Sequence, residues 1–117
     1  MSLYSSLWVQ LGQELRGEVA TDAFGKSIAI SSDGKTLTVG AHQNDGNGYE
    51  SGQVRVFQFN AGEQVWEQRG ADIDGAGANN LFGGSVAMSS DGLTVAAGAM
   101  GNSDSGNYAG HVRVFVW

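Results

Sequence analysis

Displaced by 58 residues, the chain aligns with itself without a gap. Trp8-Val9-Gln10-Leu11-Gly12 falls on Trp66-Glu67-Gln68-Arg69-Gly70, and Phe24-Gly25-Lys26-Ser27 on Phe82-Gly83-Gly84-Ser85. Ser31-Ser32-Asp33-Gly34 meets Ser89-Ser90-Asp91-Gly92, and Val54-Arg55-Val56-Phe57 meets Val112-Arg113-Val114-Phe115. Of the 52 pairs from Trp8/Trp66 to Phe59/Trp117, 23 are identical. A fixed period of this kind marks solenoids, propellers and arrays, in which one unit is a supersecondary module unable to bury its faces alone. The 117 residues are read as one domain, 1–117, holding two units at about 8–65 and 66–117.

Within a unit the periodicity is two, not 3.6. From Phe24 to Ser31, Phe24, Ile28 and Ile30 alternate with Gly25, Ser27 and Ala29, which sends bulky groups to one face of a strand and small ones to the other. Asp33-Gly34 then sets a tight turn. Thr36 to Ala41 reads as a second strand and Gln53 to Phe59, β-branched and aromatic, as a third. Gln64 to Gly70, carrying Trp66, reads as a fourth. No segment has the apolar stripe and caps of a helix. With 19 glycines, no proline and only 15% charged residues, the chain has the composition of a turn-rich all-β protein.

A four-stranded antiparallel meander repeated in tandem is the plan of a β-propeller blade. Two blades leave two open faces. The phase of the repeat suggests how they are covered: the chain opens on a fourth-strand-like segment at 7–12, runs through two units and stops at Trp117, the end of a third strand. If the N-terminal strand of one copy completes the last blade of the next, the contact is head-to-tail, and such contacts generate rings when the rotation closes. The expectation is therefore a homo-oligomer, three copies giving six blades or four giving eight, with Trp8 and Trp117 at the assembly contact.

Phe24-Gly25 followed by Gly40-Ala41, and Phe82-Gly83 followed by Gly98-Ala99, resemble the FG-GAP repeat of integrin α-subunit propellers, as do Gly52 to Phe57 and Gly110 to Phe115. The resemblance implies a propeller, a ligand face built from the longer loops, and an extracellular or cell-surface setting. The opening residues Met1 to Leu7 carry neither the basic nor the long apolar region of a signal peptide. The family's calcium loop, rich in aspartate, is reduced here to Ser31-Ser32-Asp33-Gly34-Lys35-Thr36. One carboxylate cannot supply the six to eight oxygens that calcium takes.

The chemistry available is narrow. A net charge of −6 disfavours nucleic acid, and no apolar run is long enough to insert in a membrane as a helix. There is no cysteine, and the only histidines, His42 and His111, have Met100 and Gln53 as repeat counterparts. With no nucleophile elbow, zinc motif or phosphate loop, the chain is read as non-enzymatic and without a cofactor. Asn44, Asp45, Asn102 and Asp104 are the only metal candidates, and a turn-forming role is the simpler reading. Variable loops on a rigid frame are where binding resides, which selects Asp22, His42, Asn44, Asp45, Tyr49, Asn80, Asn102, Asp104 and Tyr108 as the ligand face. The functional expectation is an interaction scaffold for a protein or a glycan. A lectin with sites between blades and a two-blade propeller piece without its own function are the alternatives.

Overall fold

A computed structural model describes residues 7–117. The reading of the opening residues as lacking a leader falls largely on 1–6 and lies outside them. Among the described residues there are strands and no helix. The first sheet contains β1 (Phe24–Ile30), β2 (Thr36–Ala41), β3 (Gln53–Asn60) and β4 (Val65–Gln68) in that order, and β5 (Ile73–Asp74) also pairs with β3. The second contains β6 (Phe82–Met88), β7 (Thr94–Ala99) and β8 (His111–Val116). All named pairings are antiparallel.

The sequence repeat is reproduced at the level of register. Ile28 pairs Val39 where Val86 pairs Ala97, and Arg55 pairs Val39 where Arg113 pairs Ala97. Both first hairpins break register between the phenylalanine and the serine of Phe-Gly-x-Ser. At each turn an aspartate fixes the geometry. Asp33 Oδ1 accepts from the Ser31 hydroxyl at 2.7 Å and from the Lys35 amide at 2.9 Å. Asp91 repeats this with Ser89 at 2.6 Å and Leu93 at 3.0 Å. Those hydrogen bonds, the serine's first, hold both carboxyls below the usual aspartate value of 3.8.

The core lies between the sheets. Val54 and Val56 of β3 pack against Phe82, Val95, Ala97 and Ala99, with Ile73, Val86, Met88 and Phe115 around them. Burying side chains of this size is worth roughly 1.5–3 kcal/mol each. Polar contacts lock the same interface: the Ser27 hydroxyl donates to the Gly83 carbonyl at 2.8 Å, and the Ser32 amide and hydroxyl both donate to the Ser90 carbonyl.

The expected strands are met with one adjustment. The fourth strand, expected over roughly Gln64 to Gly70, runs Val65–Gln68, the Arg69 amide still donates to Val56 at 2.7 Å, and the chain pairs with β3 again at β5, where Ile73 faces Val54. Gly70, at φ 75°, turns the chain away between the two. The second sheet has three strands among the described residues, the fourth being the one the sequence leaves out after Trp117. Residues 7–12, expected to pair with a neighbouring copy, enter no ladder within the chain. A strand exists only through a partner for its backbone groups, and among the described residues the segment is held at its end: the Trp66 indole donates to the Leu11 carbonyl at 2.9 Å, and the next residue, Gln13, brackets the Trp66 backbone at 2.8 Å on both sides.

Candidate functional site: an acidic loop face

The long connections, 42–52 and 100–110, meet the segments that lead into β1 and β6 at one end of the sheets. Main-chain bonds stitch 42–52 to 75–82: Asn79 donates to Tyr49, Leu81 to Glu50, Phe82 to Ser51 and Gly75 to Gly52. Beneath them lies a polar frame. Asn44 donates through Nδ2 to Asp22 Oδ2 at 3.1 Å and accepts from the Gly46 amide at 2.8 Å. One period later, Asn102 donates to Asn80 Oδ1 at 2.6 Å and accepts from the Asp104 amide at 3.0 Å.

Asp22, Asn44, Asn80 and Asn102, selected from the sequence as ligand-face residues, are therefore buried struts. Their polar atoms are spent on each other and on backbone, as buried polar groups require. This also fixes the status of the metal candidates Asn44 and Asn102, whose side-chain oxygens already serve Asx turns. Among the described residues no three His, Cys, Asp or Glu side chains gather where a metal ion would fit. Asp45, Tyr49, Asp104 and Tyr108 do stand in solvent. Asp45 keeps one oxygen on the Glu50 amide at 2.7 Å. His42 is half-buried with Nδ1 unpartnered, and burial, with Lys26 nearby, pushes its imidazole below the usual value.

Sequence reasoning missed the concavity these loops enclose. Glu18, Asp45, Asp72 and Asp74 converge with Asn44 and Gln53 on an open cleft of about 460 Å³. Gln53 spans it, its amide donating to Glu18 at 3.2 Å and to Asp74 at 3.4 Å. Arg55 borders it, 3.6 Å from Asp72. The signal available was Asp72-Ile73-Asp74, whose alternation on an extended segment puts two carboxylates on the side opposite a core isoleucine. Arg55 is held by stacking on Phe24 and Phe57, at 5.3 and 4.9 Å, and by its bond to the Arg16 carbonyl. Arg113 repeats it over Phe82 and Phe115 and on the Asp74 carbonyl. Their guanidinium groups thus join each sheet to the segment leading into it.

Residues 17–57, which contain β1 to β3 with Asp22 and Asn44, match the family model of the FG-GAP repeat. The chain carries an FG-GAP repeat. No curated protein matched the chain. In this FG-GAP repeat Phe24-Gly25 forms the irregular start of β1, and Gly40-Ala41 ends β2 directly opposite it. Residues 75–115, one period later, place Phe82-Gly83 and Gly98-Ala99 in the same register. In the second unit the phenylalanine and glycine of the motif, Phe82 and Gly83, form the contact with the first sheet, at Gly52 and Gly40.

Proposed function

We propose that this protein is a non-enzymatic, propeller-type binding scaffold whose acidic loop face receives a protein partner through its basic side chains. The FG-GAP repeat and the paired antiparallel sheets support the scaffold. The single observation that carries the ligand preference is the cleft of Glu18, Asp45, Asp72 and Asp74, in a chain of net charge −6. Carboxylates on a rigid frame favour Lys and Arg and steer their approach. The two sheets serve as blades of a ring made from copies, three for six blades or four for eight, and repeats of this kind fit an extracellular or cell-surface setting. A glycan is the second reading, favoured by Tyr49 and Tyr108, each about two-thirds exposed on one of the two long connections.

An arginine-rich peptide, an uncharged peptide and a glycan array separate the two. The account expects salt-sensitive binding of the arginine-rich peptide, weakened at least tenfold by Asp45→Asn with Asp74→Asn. Glycan binding lost in Tyr49→Ala and unaffected by those two substitutions overturns it in favour of a lectin.

A further inference from the structure

We propose that the outer face of the second sheet docks the outer face of the first sheet in a second copy of this chain, reproducing the packing between sheets within one chain. This rests on the reading of the sheets as blades of a ring and names the residues that close it: Gly98 on the second copy's Gly25, and the second copy's Trp8 in a hollow beside Trp117.

The template is inside the molecule. Gly40 and Gly83 touch backbone to backbone, so closely that a Cβ on Gly40 would collide with the Gly83 carbonyl, and one on Gly52 would collide with the backbone of Phe82. The counterparts one period away are vacant halves of the same contacts. A Cβ on Gly98 would meet only the Ser85 hydroxyl, at 2.7 Å, and one on Gly25 would meet nothing within 4 Å. Gly98 is neither crowded by backbone nor at positive φ, and within the chain a methyl group there requires only that the Ser85 hydroxyl turn aside, whereas Gly40 meets backbone that cannot. The second copy's Gly25 supplies the requirement for glycine.

The apolar residues follow the same rule. Val54 is fully buried against the second sheet, whereas its counterpart Val112 is 68% exposed. Val86 and Met88 pack on the core, whereas Ile28 and Ile30 are 65% and 57% exposed. Val112 and Val114 on one outer face and Ile28 and Ile30 on the other are thus the two sides of one interface, present in the right order at opposite ends of the chain. Patches of this kind on soluble proteins mark association sites.

The Trp8 seat is read in the same way. Trp66 rests at the edge of Phe59, ring centroids 5.3 Å apart, against Gly12 and with its indole on the Leu11 carbonyl. One period later Trp117, Gly70 and Arg69 stand for Phe59, Gly12 and Leu11, and they border a hollow of about 230 Å³ with Leu93 and Val95. Trp8, fully exposed, holds the repeat position of Trp66. Adding residues 8–10 along the free edge of β8 in the register of β3 with β4 sets Trp8 opposite Trp117 and Val9 opposite Val116.

Because the chain has no cysteine, Val9→Cys with Val116→Cys reports this register directly. Facing strand residues lie within disulfide reach, and both valines are exposed, so the fold is left intact. Oxidation should give chains linked in multiples of the 12.2 kDa unit on a non-reducing gel. Gly98→Ala should leave the circular dichroism unchanged and weaken association at least tenfold. Linked multimers that fail to form overturn the Trp8 seat, and Gly98→Ala protein that associates as tightly as the parent overturns the docking of the sheets. A parent protein that stays monomeric at every concentration instead overturns the ring reading on which both rest.

Discussion

At the residue scale, the molecule's tolerance to change is set by which half of a repeated contact a residue occupies. Gly40 and Gly98 are identical in sequence position within their units but not in surroundings. Gly40→Ala drives a methyl group into the Gly83 carbonyl, and overpacking against backbone that cannot yield costs about 2 kcal/mol or more. Thermal melts at low concentration should show that loss for Gly40→Ala and a clearly smaller one for Gly98→Ala, whose methyl group meets only the rotatable Ser85 hydroxyl. The turn aspartates carry a pH signature. Because hydrogen bonds hold Asp33 and Asp91 below their usual value, their contribution is fully present above about pH 4. It is lost as pH falls through the lowered folded values. Melting temperature followed from neutral pH to pH 2 should fall less steeply for Asp33→Asn with Asp91→Asn than for the parent. An unchanged slope would assign the acid sensitivity to other carboxylates.

At the scale of elements, strand alternation and turn chemistry made most of the sheets legible. Thr36–Ala41 is both the expected and the observed second strand, because Asp33-Gly34 and the loop after Ala41 punctuate it on both sides. What the sequence concealed depends on partners. Residues 7–12 have the side chains of a strand, but no ladder forms without a facing edge, and Asp72-Ile73-Asp74 is too short to stand out as a strand because its pairing follows a turn at Gly70. Asp22, Asn44, Asn80 and Asn102 are polar yet buried, and polarity alone does not separate a strut from a ligand residue. Their recurrence at 22/80 and 44/102 was the clue, since a frame needs its polar bonds in every unit. The same distinction separates two tryptophans. Trp66, seated on Phe59 and bonded to Leu11, should cost about 3 kcal/mol when cut to alanine. Trp8→Ala should leave the stability of the single chain within about 0.5 kcal/mol, as chemical denaturation of dilute protein can determine.

At the scale of the whole molecule, two sheets bury one face each and leave the other in water. The exposed Ile28, Ile30, Val112 and Val114 are an association surface when paired and an aggregation hazard when not. Calcium has no part in holding the sheets together on this account. Adding a chelator should leave the melting curve where it was, whereas loss of a structural calcium ion would lower it by mass action. The account's central claim concerns mass. Light scattering across a sizing column, run over a wide range of protein concentration, should give three chains per particle, or four, with a melting temperature that rises with concentration because folding and assembly are linked. A stably folded monomer at every concentration, with a melting temperature that does not move, would contradict it.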